Sequence, residues 1–153
     1  MNLRPVTLRE ANEVIEKWHS HHPKVKTKIF GVGAEHEGEV VGVVVVERPI
    51  ARMLTDGYTC EVSRLCTNGH KNAASFLLGA VTRAARALGY RRVVSYTRTD
   101  ELGTCYKAAN WRPVAMTKPE AWDRRNATGT LFLPGFYTPN TETVARVRWE
   151  WAA

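Results

Sequence analysis

The segment best suited to chemistry stands between a strand-like stretch and a long helical pattern, and it has the composition of a phosphate-binding loop. It consists of His70, Lys71, Asn72, Ala73, Ala74 and Ser75. The first amides of a helix carry unpaired N–H groups and a partial positive charge, so they could cradle a pyrophosphate. The small residues would let phosphates approach the backbone, while the histidine and the lysine add positive charge. The alternative is an ordinary loop in which Asn72 caps the helix.

Glu61 is a candidate general base. Its neighbours Cys60 and Val62 would place the carboxylate in apolar surroundings and raise its pKa, which suits proton transfer. The competing interpretation is a structural ion pair of Glu61 with Arg64 or another arginine. A regular strand would direct Arg64 to the opposite face, whereas a bulge would change that direction.

The cysteines and histidines do not have the spacing of a metal site. Cys60, Cys66 and Cys105 form no C-x-x-C pair, so we expect them to be packing residues in a reducing compartment. The histidine cluster at 19–22 has no acidic or cysteine partner at ligand spacing. We therefore expect no metal.

Composition indicates a single globular domain over residues 1–153. The hydrophobic fraction is 44% and the charged fraction is 24%, which excludes the disordered and fibrous classes. The apolar run from Val40 to Val46 is too short to cross a bilayer, and the start of the sequence lacks the apolar region of a signal peptide. We therefore expect a soluble, cytoplasmic protein without membrane contact.

The chain is basic, with a formal net charge of +7 at pH 7. This balance favours anionic partners, either nucleic acid or a phosphorylated cofactor, and the alternative is a basic surface that serves only solubility. Lys24, Lys26 and Lys28 alternate with uncharged residues, so an extended segment would place them on one face. Together with Arg124 and Arg125 they are candidates for DNA contact.

The elements that must position these residues alternate between strand and helix patterns. Thr7 and Glu10 have the form of a capping box, which predicts the start of a helix. The apolar run 40–46 lacks polar alternation, so it predicts a central strand that is covered on both faces. The predicted strands are 3–6, 29–34, 40–46, 58–66, 91–97, 111–115 and 144–151. The further predicted helices are 72–88 and 100–110, and a long loop is predicted at 118–143.

This order of elements describes an α/β fold with an antiparallel first half and one strand-helix-strand crossover. Within it, four stretches resemble the GCN5-related N-acetyltransferases: EVSRLCT, NGHKNAASFLLGAVTRAARALGY, RVVSYT and CYKAANW. The resemblance implies a mixed, mostly antiparallel central sheet flanked by helices. It also implies transfer of an acetyl or related acyl group from coenzyme A to an amine. The sequence departs from the family at the pyrophosphate loop, where Asn72 stands in place of the expected first glycine.

The resemblance implies roles for further residues. In this family the fourth strand parts from the fifth, so backbone amides near Leu65 and Cys66 would polarise the thioester carbonyl. Tyr106 falls where the family's helix carries a tyrosine whose hydroxyl could protonate the departing thiolate; the alternative is a half-buried aromatic with a solvated hydroxyl. The histidine cluster would form the rim of the acceptor site, where it could contact the acceptor or act as a base; the alternative is a polar end of the first helix. We therefore expect His22 and Arg64 to contact the acceptor, with acetyl-CoA or another acyl-CoA as co-substrate.

Two short stretches are also similar to the phage Mom proteins, which modify adenine in DNA: Glu61-x-x-Arg64-Leu65 and Asn72-x-x-Ser75-Phe76-Leu77. The acceptor therefore stays open between a small amine, a protein amine and a nucleobase. The function expected first is an N-acyltransferase. The alternatives are a phage-type DNA modification protein that acts on a nucleobase, or a basic nucleic-acid-binding module without catalysis.

Overall fold

The computed structural model describes residues 1–18, 23–118, 120–121 and 143–153. Several residues predicted from the sequence to be functional lie outside these ranges. They are His22 with the rest of the histidine cluster, Arg124, Arg125 and most of the predicted loop 118–143.

The described elements follow the predicted order. The helices are α1 (Leu8–Trp18), α2 (Ala73–Ala87) and α3 (Thr104–Ala108), and a short 3-10 turn covers Arg52–Leu54. The longer strands are β1 (Asn2–Pro5), β2 (Phe30–His36), β3 (Glu39–Glu47), β4 (Thr59–Thr67), β5 (Arg92–Arg98), β6 (Arg112–Met116) and β9 (Arg146–Ala152). The short strands β7 (Glu120–Ala121) and β8 (Thr143–Val144) pair with each other.

One sheet organises the described chain, with the strand order β1-β2-β3-β4-β5-β9-β6. Within this sheet, the pair formed by β4 and β5 is parallel and the other neighbouring pairs are antiparallel. The predicted mixed, mostly antiparallel sheet flanked by helices is therefore confirmed. The parallel pair at its centre is the place where the strand-helix-strand crossover through α2 returns to the sheet.

Helix α1 begins at the predicted capping box and covers one face of the sheet. The Thr7 hydroxyl accepts the Glu10 N–H at 3.1 Å, and the Glu10 carboxylate accepts the Thr7 N–H at 2.8 Å. Ala11 and Ile15 of α1 are fully buried in a cluster that includes Val43 of β3. The helix is therefore held by its start and by its apolar face.

Helix α2 covers the other face of the same strand. Leu77 and Val81 are fully buried in a cluster that includes Val44 and Val46 of β3. Neighbouring valines of β3 thus pack under α1 and α2 in turn, which confirms the predicted central strand covered on both faces.

The third helix is shorter than predicted. The sequence pattern predicted a helix over 100–110 with Thr99 as its N-cap, but α3 covers Thr104–Ala108 and its N-cap position is Gly103. Gly103 has a left-handed backbone with φ of 62°. A Cβ at this position would lie 2.1 Å from Cζ2 of Trp149, so glycine is required where the chain crosses the indole.

Candidate active site

Strands β4 and β5 part after a short region of pairing. Their parallel register covers only Thr59–Glu61 against Arg92–Val94, and the remaining residues of the two strands diverge. A cavity of about 510 Å³ opens between them, and Ala74 at the start of α2 forms part of its wall. Its charged lining residues are Arg64, Arg98, Glu101 and Arg146. The strands therefore part as the resemblance implied.

A β-bulge in β4 decides which side chains face each side of the sheet. Val62 and Arg64 pair with consecutive residues of β3, so Ser63 is the extra residue. The bulge returns Arg64 to the face that carries Glu61, which is the face covered by α1. A regular strand would have placed Arg64 on the opposite face.

Leu65 and Cys66 follow the bulge and divide between the two faces. Leu65 lines the cavity, whereas Cys66 is 3% exposed and packs in the cluster beneath α1. Burial raises the pKa of the Cys66 thiol to about 12, so this cysteine is protonated and unreactive. Successive amides of a strand point to opposite edges. One of these two amides therefore faces β3, and the other faces the cavity.

Tyr106 extends from α3 into the cavity wall and is 5% exposed. Its ring stacks on Trp149 with centroids 5.3 Å apart and meets the edge of Trp111 at 5.5 Å. Its hydroxyl lies 2.7 Å from Oγ of Ser95. Burial raises the pKa of the phenol, and the Ser95 hydrogen bond opposes that rise. The hydroxyl is bonded and keeps its proton at neutral pH, so the alternative of a half-buried ring with a solvated hydroxyl is wrong.

Glu61 stands where the strands part and is 2% exposed. Its Oε2 accepts the backbone N–H of Ile50 at 3.0 Å. Burial raises the pKa of this carboxyl to about 7; the Ile50 hydrogen bond lowers it, the Glu47 charge raises it and the Arg64 charge lowers it. A carboxyl that titrates near neutral pH suits a general base. Glu61 is not among the residues that line the cavity.

Among the residues that the structure describes, Glu61 forms no ion pair with Arg64 or another arginine, so the competing interpretation is wrong. Within the described part of the chain, the Arg64 guanidinium donates to carbonyl oxygens, namely that of Ser63 at 2.7 Å and that of Pro23 at 3.0 and 3.2 Å. Burial lowers the pKa of the Arg64 guanidinium, and the charges of Glu47 and Glu61 oppose that change. Arg64 is thus a cation in the cavity wall, held by backbone carbonyls.

The loop before α2 leads into a helix start whose Ala74 forms part of the cavity wall. Asn72 occupies the N-cap position with a left-handed φ of 64°, and its side chain makes no capping hydrogen bond. The amide of Ala73 donates to the His70 carbonyl at 3.1 Å. The amides of Ala74 and Ser75 belong to the first turn, where a helix supplies no acceptor. Asn72 is therefore the N-cap residue by position, as the alternative expected, but its side chain does not cap the helix.

Lys24, Lys26 and Lys28 lie between α1 and β2, outside the strands. The segment is not a strand, and it bends at Lys26. The Lys24 ammonium lies 3.0 Å from a carboxylate oxygen of Glu16, and the Lys28 ammonium donates to the Val6 carbonyl. Two of the three charges are therefore engaged within the protein.

The described ranges contain no group of three or more His, Cys, Asp or Glu residues that could hold a metal ion. They also contain no helix long and apolar enough to cross a membrane.

Comparison with known proteins connects this geometry to a family. The model of the Mom protein family matches residues 1–132. The chain belongs to the Mom protein family. No curated protein sequence matches it significantly.

Solved structures place the fold of this Mom family member among the GNAT acetyltransferases. The IAA acetyltransferase from Bacillus cereus has a TM-score of 0.70 at 12% identity, with 99% of each chain covered. The ribosomal-protein-alanine N-acetyltransferase from Brucella melitensis has a TM-score of 0.67 at 10% identity, with 100% of each chain covered. A GNAT family acetyltransferase from Elizabethkingia anophelis with acetyl-CoA bound has a TM-score of 0.59 at 15% identity, and 99% of this chain and 97% of that chain are covered.

In this Mom family member, the structure brings part of the predicted site together. The cavity wall contains Arg64, Leu65, Ala74 and Tyr106. The other predicted residues that the structure describes do not line the cavity: Glu61, Cys66, His70, Lys71, Asn72, Ala73 and Ser75. Among these, the His70 ring lies against the His36 ring with centroids 4.5 Å apart and planes tilted by 40°, and Lys71 is exposed.

In this Mom family member, several residues that contact the predicted site residues or their neighbours were not identified from the sequence. Ser95 binds the Tyr106 hydroxyl, and Thr97 accepts the indole N–H of Trp149 at 2.9 Å. Glu47 is the cross-strand partner of Glu61. The alternation of Ser95 and Thr97 with larger residues in β5 was a signal for these contacts, because each polar side chain of a buried strand needs a hydrogen-bond partner.

Proposed function

We propose that this chain is an N-acyltransferase that takes an acyl group from a coenzyme A thioester and transfers it to an amine. The observation that carries the proposal is the parting of β4 and β5 around a cavity with Tyr106 and Ala74 in its wall. Acyl transfer needs a polarised carbonyl, an acceptor that loses a proton and a proton for the leaving thiolate. The acetyl-CoA bound in the similar protein from Elizabethkingia anophelis supports this use of the cleft.

The residues on the α2 side of the sheet fit the donor. The amides of Ala74 and Ser75 would hold the diphosphate at the helix start, and the methyl side chain of Ala74 leaves the backbone accessible. The cavity-facing amide of Leu65 or Cys66 would donate to the thioester oxygen. Tyr106 would give its proton to the thiolate sulfur as the carbon–sulfur bond breaks.

The α1 side of the sheet fits the acceptor. Glu61 does not line the cavity, so it would take the proton of the acceptor amine through water; a pKa of about 7 leaves part of the carboxyl ionised at neutral pH. Arg64 lies on the same face and keeps its charge in the cavity wall. Acceptor and donor would therefore meet between the parted strands from opposite faces of the sheet.

We further propose that the acceptor is the exocyclic amine of a DNA base. The match to the Mom protein family over residues 1–132 favours a nucleobase over other amines, and the net charge of +7 suits a polyanionic partner. A base inside a duplex must leave the stack before its amine can reach a cleft, which costs a few kcal/mol. Single-stranded DNA should therefore be modified faster than duplex DNA where base extrusion limits the rate.

Donor binding is tested by thermal unfolding with acetyl-CoA. At ~100 times its dissociation constant, the ligand should stabilise the fold by about 2.7 kcal/mol. Ala74→Trp should remove the shift because the ring fills the helix start. Ala87→Trp, at an exposed position of the same helix, should keep it. Absence of a shift in the unsubstituted protein at millimolar acetyl-CoA would contradict the proposal.

Acceptor identity is tested by mass spectrometry after incubation with acetyl-CoA. Duplex DNA, single-stranded DNA, a lysine-rich peptide and a simple alkylamine are offered separately, and the expected product is a nucleoside that carries one acyl group. Acylation of the peptide or alkylamine alone would contradict the nucleobase proposal and leave the acyltransferase proposal standing. DNA binding without any acyl product would favour the non-catalytic alternative.

A further inference from the structure

Ser95 occupies the point where the two central strands part. The paired region ends at Glu61 and Val94, and Ser95 is the next residue of β5. Its hydroxyl lies 3.4 Å from the carbonyl oxygen of Val62, the next residue of β4. Ser95 is 2% exposed, so the contact is shielded from water. A side-chain hydroxyl therefore bridges the strands where their backbone pairing ends.

The same hydroxyl holds the proposed proton donor. Oγ of Ser95 lies 2.7 Å from the Tyr106 hydroxyl, which is a short distance for a bond between two hydroxyls. The Tyr106 ring stacks on Trp149, and the Trp149 indole N–H donates to Thr97 at 2.9 Å. Two hydroxyls of β5 thus restrain the phenol, one directly and one through the indole beneath it.

Proton donation by Tyr106 would leave a charge in a buried place. The phenolic O–H bond breaks, an S–H bond forms on the leaving thiolate, and a phenolate remains until solvent returns a proton. An isolated buried charge is costly unless hydrogen bonds satisfy it. The Ser95 hydroxyl can donate to Val62 while the phenol holds its proton, and it can donate to the phenolate once that proton has left.

We propose that Ser95 is a positioning residue that aligns the Tyr106 hydroxyl at the start of the cleft and stabilises its deprotonated form during thiolate departure. The inference rests on the proposed acyltransferase function. It goes beyond that function because it gives one side chain two roles: Ser95 bridges the strands where they part, and it holds the hydroxyl of the proposed proton donor. A residue that acts in this way affects the chemical step and leaves donor affinity unchanged.

Ser95→Ala tests the inference, with Thr82→Ala as the matched control. Thr82 is also a buried hydroxyl, at 8% exposure, but it donates to the Gly79 carbonyl at 2.9 Å within α2. Ser95→Ala should lower kcat by about tenfold, which corresponds to one hydrogen bond to a charged group, with little change in KM for acetyl-CoA. Thr82→Ala should keep kcat.

Two further measurements separate positioning from a structural role. Ser95→Ala should cause little additional loss in a Tyr106→Phe background, because its effect passes through the phenol. Its defect should also shrink with an acyl thioester of a more acidic thiol, which needs less protonation to leave. Equal losses in both backgrounds, or a defect that is the same for both thiols, would overturn the inference. An unsubstituted protein that transfers no acyl group would instead overturn the proposed function.

Discussion

The two faces of the central sheet each bury a titratable group, and burial has opposite consequences for the protonation of the two groups at neutral pH. On the α2 side, Tyr106 is 5% exposed, and its hydroxyl has a hydroxyl partner at 2.7 Å. On the α1 side, Glu61 is 2% exposed, and its carboxyl accepts a backbone N–H from Ile50. Burial raises the pKa of both groups. The phenol keeps its proton at neutral pH, while the carboxyl exchanges its proton there.

The difference shows that one physical effect can produce opposite protonation states at neutral pH. Desolvation disfavours the charged form of either group. A phenol has an ordinary pKa near 10, and burial shifts it further toward its neutral form, so it keeps its proton at neutral pH. A carboxyl is lifted from its acidic range to about 7, where it can accept a proton. Each of the following predictions disturbs one side and leaves the other intact.

The largest effect is expected from Gly103→Ala on the α2 side. The added Cβ would overlap the Trp149 indole, and the left-handed backbone adds strain, so the free energy of unfolding should fall by at least about 3 kcal/mol. Gly38→Ala is the control, because Gly38 also has positive φ but nothing lies within 4 Å of its Cβ position. That variant should lose only about 1 kcal/mol in denaturant unfolding. Equal losses would show that Trp149 does not press against Gly103.

The next effect concerns pH and Glu61. The folded carboxyl has a pKa of about 7 against 4.5 for its ordinary value, so between these values the folded state holds a proton that the unfolded chain has lost. Stability should therefore fall by about 3 kcal/mol as pH rises from about 4.5 to about 7, and the penalty should then stay constant. The charged groups that act on Glu61 are Glu47 on β3 and Arg64 on β4, and Glu61 in turn acts on Tyr96 of β5.

Urea unfolding of Glu61→Gln across that pH range checks the expectation. The variant should lose the slope between about 4.5 and 7, because glutamine does not titrate. Glu13→Gln, which changes an exposed carboxylate of α1, should keep it. A slope of wild-type size in Glu61→Gln would assign the pH dependence to another group.

Tyr106→Phe should act on turnover. If Tyr106 protonates the thiolate, kcat should fall by about a hundredfold, or ~2.7 kcal/mol in barrier height, with little change in acetyl-CoA affinity. Tyr58→Phe is the control, because Tyr58 is 50% exposed and the guanidinium carbon of Arg91 lies 4.4 Å from the centroid of its ring. Steady-state and single-turnover kinetics measure both variants. Full single-turnover rates in Tyr106→Phe would exclude the phenol as the acid.

The smallest effect is expected from Glu47→Gln. Glu47 is the cross-strand partner of Glu61, and its charge raises the pKa of that carboxyl. Its removal should move the midpoint of the pH-dependent stability change to lower pH while the fold stays intact. Glu39→Gln, at the exposed far end of β3, should leave the midpoint in place. A midpoint unmoved in Glu47→Gln would show that the Glu47 charge does not act on the pKa of Glu61.

Local patterns were sufficient to predict most of the fold. The capping box of Thr7 and Glu10 and the valine run of β3 depend on neighbours in the sequence, and both predictions are confirmed. The predicted start of α3 was wrong. The helix starts after Gly103, where the chain passes close to the indole of Trp149, and that tryptophan belongs to a strand distant in the sequence. Propensity cannot detect a tertiary contact of that kind.

The candidate site was less predictable because it depends on register. The bulge at Ser63 decides the direction of Arg64, and a single sequence does not show where a strand gains a residue. The bond between Ser95 and Tyr106 needs α3 packed over β5, although both residues lay in stretches that resembled the acetyltransferases. The pairing of Glu61 with Glu47 likewise follows from the alignment of β4 with β3.

The position of β9 has a consequence for synthesis on the ribosome. This strand follows β6 along the chain, yet it lies between β5 and β6 in the sheet. While β9 is still in the exit tunnel, β5 therefore has an unpaired edge and Tyr106 lacks the indole of Trp149 beneath it. Nascent chains that stall after β6 would expose a strand edge of the kind that aggregates. The surroundings of Tyr106 are thus completed late in translation, whereas Glu61 and the strands around it can form much earlier.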